Sequence, residues 1–330
     1  MDRYPITGRS LEWFFDIDGD LFERQYKRHL SGYRQWKDTA EGVHAEQWRV
    51  FPQNIGPHLS IDETSLSRGE LYTIVTNKEA HGREDSIVAI VLGTDADTVI
   101  HALRQIKSEL RNTVKEITLD LSDSMHRICR MAFPRASRVI DRFHVQRLAL
   151  DAVQEIRIQH RWDAINAETD AREAAKLEGR KYVVERLENG DTLKELLARG
   201  RYVLFKSPEK RTAIQRQRAD MLFELYPDLK EAYWLSQTLR AIFNRRSTKD
   251  CARLNLARWY NRVAESGFKS FNTIAATFYE HSDEILNFYD NRSTNASAES
   301  INSKIKAFRA KLHGVNDTKF FIFRLCNIYA

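Results

Sequence analysis

Apolar positions along the 330-residue chain fall into four regimes. Through residue 56 they cluster at helical spacing around aromatic anchors. Ser10 predicts an N-cap for Leu11–Phe15, and Ile17-Asp18-Gly19-Asp20 predicts a turn before a second helix over Leu21–Leu30. From His58 the spacing shortens to runs of strand length. His58–Thr64, Glu70–Thr76 and Ser86–Leu92 are rich in β-branched and aromatic residues and separated by Gly or charged turns. Val99, Ile100, Leu103, Ile106 and Leu110 then recur at helical period over Ala96–Leu110. Val114–Leu121 reads as strand, Met125–Phe133 as helix and Ser137–Ile140 as strand. Residues 145–290 are helical in pattern throughout, with no convincing strand, and residues 291–330 return as amphipathic helices.

The order β-β-β-α-β-α-β is that of a ribonuclease-H-like α/β core, a mixed sheet flanked by helices. A large all-helical insertion interrupts it before the last helix. The expected organisation is a small helical N-terminal region (1–56), the first part of the core (57–144), a helical insertion (145–290) and the C-terminal helices of the core (291–330). Within the first region, Asp16-x-Asp18-Gly19-Asp20 has acids at calcium-loop spacing but no glutamate at the twelfth position, so plain packing is the favoured reading.

Composition adds little until charge is located. The chain is 42% hydrophobic and 30% charged with a formal net charge of +6. Seven Lys/Arg against Glu209 fall within 199–218, and seven against Glu299 and Asp317 within 292–330. Two basic blocks on an otherwise balanced chain point to a polyanion. Cys129, Cys251 and Cys326 are far apart and in no Cys-x-x-Cys spacing, which argues against a disulfide framework or zinc ribbon. No apolar run reaches the roughly 20 residues that span a bilayer, and Met-Asp-Arg-Tyr-Pro lacks a signal-peptide core. A cytoplasmic, nucleoid-associated protein is expected.

Two aspartates occupy apolar strands. Asp62 follows Ile61, and Asp120 shares a strand face with Thr118 and Ser122 while Ile117, Leu119 and Leu121 share the other. A buried carboxylate is costly unless it is paired or bound to metal. On the late helix, Asn295, Glu299, Asn302, Lys306 and Arg309 form one stripe at 100° per residue, beside an apolar stripe of Ile301, Ile305, Phe308 and Leu312. If the first and fourth strands are neighbours, Asp62 and Asp120 meet, and a helix crossing them brings Glu299. Such an oxygen-rich site suits Mg²⁺ or Mn²⁺, and two ions about 4 Å apart serve phosphodiester transfer.

The strings His58-Leu-Ser-Ile-Asp-Glu-Thr, Ile117-Thr-Leu-Asp, Val139-Ile-Asp-Arg-Phe-His-Val and Asn295-Ala-Ser-Ala-Glu-Ser-Ile-Asn-Ser-Lys-Ile-Lys resemble the DDE transposases of bacterial insertion sequences. The resemblance is to the ISL-type group, closest to the ISAon-type, and covers essentially the whole chain. It implies that Asp62, Asp120 and Glu299 are the catalytic, metal-binding triad, with Asp123 a less favoured substitute for Asp120. Two Mg²⁺ or Mn²⁺ ions are the implied cofactors, for DNA cleavage and strand transfer. Asp141 and His144 match the family's Asp-x-x-His string. They orient each other, contact the scissile phosphate or assist as acid or base; a structural cap is the alternative. Asn295 and Asn302 would orient Glu299 as auxiliary groups, and Lys304, Lys306, Arg309 and Lys311 would hold DNA phosphates.

Relatives in the wider group carry an N-terminal zinc finger and helix-turn-helix. This chain reaches the first catalytic strand by residue 58 without a cysteine ligand set. A separately encoded upstream DNA-binding protein of the same element is therefore the implied partner, besides DNA itself and a homo-oligomer; no membrane is implied. The rival readings are a ribonuclease-H-like nuclease without strand transfer and a non-catalytic DNA-binding protein derived from a transposase.

Overall fold

The computed structural model describes residues 1–66 and 69–330, so the charged turn between the first two predicted strands lies partly outside the described residues. By internal packing the chain divides into Met1–Asp141 with Asn291–Ala330, and Arg142–Asp290. The first unit is built on six strands: β1 (Trp48–Val50), β2 (His58–Ser65), β3 (Leu71–Asn77), β4 (Ile87–Leu92), β5 (Glu116–Leu119) and β6 (Ser137–Ile140). Their order across the sheet is β1-β4-β3-β2-β5-β6. β1 to β4, β4 to β3 and β3 to β2 are antiparallel, and β2 to β5 and β5 to β6 are parallel. The result is a mixed α/β sheet with helices on both faces.

Each face of the sheet buries one side of the strand alternation. Leu59, Ile61, Val75, Ile117 and Leu119 pack against Val99, Ile100 and Leu103 of the Ala96–Leu103 helix and Ile128 of the Asp123–Ala132 helix. Tyr72, Ile74, Ile87 and Ile90 pack against Ile301, Ile305 and Phe308 of the Ala296–Lys311 helix and Phe321, Ile322 and Leu325 of the Thr318–Tyr329 helix. The apolar stripe of the late helix is thus core.

Several elements differ from the pattern-based expectation. β1 falls in a region read as helical; three residues are too few for a period of two to show. The expected helix over Ala96–Leu110 is two, Ala96–Leu103 and Ser108–Arg111. Ile106 is fully buried between them, and Arg111 closes the break by donating to the carbonyls of Ile106 (2.9 Å) and Ala132 (2.6 Å). The first helix is Gly8–Phe15, capped by Thr7 with Ser10 completing a capping box. It packs on Gly19–Gln25 so closely that a Cβ at Gly8 would lie 2.1 Å from the Gly19 carbonyl oxygen. The nearby acids are used locally: Asp18 accepts from the Leu21 amide at 2.8 Å, and Asp20 pairs with Arg9.

In the second unit the described elements are helices. Arg142–Leu177 is one continuous helix of 36 residues, followed by Leu193–Phe205, Ala213–Leu225, Pro227–Asn244, Lys249–Ser266 and Lys269–Glu280. Leu197, Leu204, Leu222, Tyr233, Phe243 and Trp259 are buried in it. Its basic block is partly structural. Arg199 and Arg218 both pair with buried Asp191, and buried Arg211 lies over the Tyr233 ring with its centre 4.5 Å away. Arg201, Lys210 and Arg216 remain exposed. Among the described residues no helix is long and apolar enough to cross a membrane.

Candidate active site

Strand register brings the aspartates together. Ser60 pairs with Thr118 in the parallel β2–β5 ladder, so Asp62 and Asp120, each two residues on, fall side by side on one face. Asp62 stands opposite Ile74 of β3, which places it on the face covered by the Ala296–Lys311 helix. Leu119 pairs with Ile140, so Asp141 follows beside Asp120, and its amide donates to the Leu119 carbonyl at 3.0 Å. Asp62, Asp120 and Asp141 therefore occupy neighbouring positions across three parallel strands.

The late helix reaches this row through two carboxamides. Asn302 Nδ2 donates to Asp62 Oδ2 at 2.6 Å. Asn295 Nδ2 donates to Asp120 Oδ1 at 3.1 Å and to the Ile61 carbonyl at 3.4 Å. Carboxylate and carbonyl oxygens only accept, so the NH₂ end of each amide must face them. Asn295 occupies the N-cap position of its helix yet makes no capping bond. An asparagine there ordinarily satisfies a free amide of the first turn; here the side chain is diverted to Asp120. Both asparagines are buried.

Glu299 lies four residues after Asn295 and three before Asn302, on the stripe that those two define. It is exposed, and its own amide donates to the Asn295 carbonyl at 2.9 Å. Asp62, Asp120 and Glu299 do not form a group with oxygen atoms all within 4.8 Å of one another among the described residues. The structure thus joins Asp62 and Asp120 directly to the helix and sets Glu299 between the two points of attachment.

Electrostatics at the site follow from burial first and a neighbouring carboxylate second. The Glu63 amide donates to Asp62 Oδ1 at 2.8 Å. Burial, and then the charge of Asp120, push the Glu63 carboxyl above its ordinary value. The carboxylate oxygens of Asp62 and Asp120, neighbours across β2 and β5, are of the chemical kind that suits a hard divalent cation.

The remaining predicted residues divide. Lys304 donates to the Gly82 carbonyl, Arg309 to the Ser65 carbonyl at 3.3 Å and Lys311 to the Pro5 carbonyl at 3.2 Å. Lys306 is exposed and makes no such contact among the described residues. Asp141 is fully buried at the end of β6, and His144 is half-buried in the first turn of the Arg142–Leu177 helix of the other unit.

A polar cluster missed by sequence reasoning lies on the same face. Lys78 donates to Glu116 Oε1 at 3.2 Å and to the Thr118 hydroxyl. The available signal was strand period: Glu116, Thr118 and Asp120 alternate onto one side.

With this geometry established, comparison with known proteins is decisive. A profile of ISL3-type DDE transposases, described as transposase, matches residues 59–325. The chain belongs to the ISL3-type DDE transposase family. Two similar relatives are each a transposase for insertion sequence element IS1557, from Mycobacterium tuberculosis strains CDC 1551 / Oshkosh and ATCC 25618 / H37Rv. Each is 25% identical over 253 residues, which is 75% of this chain and 54% of the relative. The chain therefore spans about half the length of the curated relatives it matches. In this ISL3-type protein the match runs from β2 into the Thr318–Tyr329 helix, and so includes both strand aspartates and the Asn295–Asn302 stripe.

Proposed function

We propose that this chain is the catalytic part of an insertion-sequence transposase, with Asp62, Asp120 and Glu299 as a DDE triad in a ribonuclease-H-like core. The single observation that carries the reading is the bracketing of Glu299 by Asn295 on Asp120 and Asn302 on Asp62. In this reading residues 145–290 are a helical insertion between the second and third acids, and the ISAon-type elements are the nearest kin.

The three carboxylates would hold Mg²⁺ or Mn²⁺, two ions by the chemistry of the class. Bound there, such a cation would supply Lewis-acid activation of an attacking oxygen and charge compensation for the leaving one. The protein's own contribution is orientation. Asn302 holds one oxygen of Asp62 and the Glu63 amide holds the other, so that carboxylate keeps one rotamer. Asn295 holds Oδ1 of Asp120. Lys306, exposed on the same stripe, would contact a phosphate, with Arg309 one turn on. A separately encoded DNA-binding protein and self-association complete the assembly in this reading.

Replacing Glu299 with Gln tests it. Cleavage at the element ends and joining of a pre-cut 3′ end should fall by at least about 10³-fold with DNA affinity unchanged. Parental activity in that variant would remove Glu299 from the mechanism. Hydrolysis without joining of pre-cut ends by the parent protein would favour a nuclease instead.

A further inference from the structure

The Lys78–Glu116 cluster holds the place where the chain returns to the sheet unit and brings its charge near the place where the chain leaves it. The Lys78 and Glu116 side chains are 15% and 6% exposed. Glu116 Oε2 accepts from Asn291 Nδ2 at 3.2 Å, and the Ser293 hydroxyl donates to the same carboxylate. Lys78 also feels the charge of Asp141, the last residue before the chain leaves the sheet unit. Asn291 is the first residue after it returns. Between the two re-entry donors stands Arg292 with φ of 54°, a left-handed conformation that side chains other than glycine seldom adopt. One carboxylate therefore holds the residues on either side of a strained bend.

Two residues past Ser293 the chain reaches Asn295 and its contact with Asp120. A buried ion pair seldom adds net stability over a well-packed apolar pair of the same volume. What this pair does offer is direction. Burial alone would raise the Glu116 carboxyl, but the donors Ser293, Asn291 and Lys78 outweigh it and hold it below the ordinary range as an anion that accepts from both sides of the bend.

We propose that Glu116, held in place by Lys78, is a positioning residue: it sets the bend at Arg292 and so the entry of the Ala296–Lys311 helix over Asp120 and Asp62. The proposal rests on the reading of those acids as a metal site with Glu299.

The test uses the full chain with Lys78→Met and Glu116→Leu combined, which removes both charges together. Expected is a folded protein, melting within about 5 °C of the parent, whose amides from Glu299 to Ser303 exchange at least about tenfold faster with deuterium. Mn²⁺, titrated alone and followed by paramagnetic resonance, should bind at least about tenfold more weakly. Glu116→Gln, which keeps an acceptor for one re-entry donor, should recover part of both effects. Unchanged exchange over 299–303 in the folded variant overturns the proposal. Should the double variant not fold, Asn291→Ala with Ser293→Ala removes the re-entry donors alone, and the same exchange decides. A parent that binds no Mn²⁺ and cuts no DNA defeats the metal reading, while exchange still judges the clasp.

Discussion

Asn302 and Asp62 are 240 residues apart in sequence and meet at 2.6 Å. The contact joins a strand formed early in the chain to a helix formed near its end, and it does so at a carboxylate proposed to bind metal. Replacing Asn302 with Ala removes the donor that orients Asp62 while leaving the acids in place. Groups that orient metal ligands typically contribute 10–100-fold to affinity or activity. Cleavage should therefore fall by about that factor in Asn302→Ala, recoverable in part by raising Mn²⁺. A loss confined to DNA affinity would place Asn302 among DNA contacts instead.

The four cations of the late helix should separate under salt. Lys304, Arg309 and Lys311 each spend a donor on a backbone carbonyl of the protein, and Lys306 does not. Each phosphate neutralised contributes about 0.9 to the slope of log affinity against log salt. Lys306→Ala should reduce the magnitude of that slope by about one unit. A slope equal to the parent's would mean that Lys306 meets no phosphate.

Phe308 is fully buried and lies 5.3 Å, ring to ring, from Phe321. Truncation to Ala should cost about 3–5 kcal/mol, read as a lower denaturant midpoint. Because Phe308 anchors the helix that carries Glu299, metal affinity should weaken even below the temperature at which the variant unfolds.

Asp317 caps the last helix, accepting from the Phe320 amide at 2.9 Å, and pairs with Lys27. Burial by itself would raise its carboxyl; the bonds from Lys27 and the Phe320 amide outweigh that and lower it. A carboxyl depressed on folding contributes stability that is full above its unfolded value, about 3.9, and is lost as pH falls through the folded value. Asp317→Ala should cost about 1 kcal/mol near neutrality. The gap in melting temperature between parent and variant should close below about pH 4; a constant gap down to pH 2 would argue against the ionised cap.

Asp191 is buried with Arg199 and Arg218 on it. Asp191→Ala removes the buried acceptor of Arg199 and Arg218, whose own side chains reach solvent, and should destabilise by about 1–3 kcal/mol. Calorimetry on the full chain would show a transition lowered in that variant, and no change would exclude a structural role for the pair.

Much of the sheet was legible because strand and helix periods differ. Ile301, Ile305 and Phe308 recur at helical spacing and are core; β4, β5 and β6 lie within the runs that predicted them, and β2 and β3 each run one residue past theirs. The stripe of Asn295, Glu299 and Asn302 could likewise be read from 100° per residue. Which acceptor each amide meets could not, because that depends on strand order and register. The break at Ile106 escaped for a related reason: it is closed by Arg111 reaching the Ala132 carbonyl, a contact no local period carries. The basic block at 199–218 misled in part, since charge counted along a chain does not distinguish Arg201 in solvent from Arg199 on a buried aspartate. Lys78 and Glu116 were overlooked because each alone resembles an ordinary surface charge.

The separation of Asn302 from Asp62 also governs when the site comes into being. A contact spanning so much of the chain can close only after the intervening segment has emerged, and its loop-closure cost is correspondingly large. Synthesis runs at about 5–20 residues per second, so the stripe from Asn295 to Asn302 leaves the ribosome many seconds after β2 and β5. In the proposed reading, unfinished or truncated chains carry two aspartates without the third acid. They would be chemically silent toward DNA, and synthesis of the late helix itself would act as the safety catch.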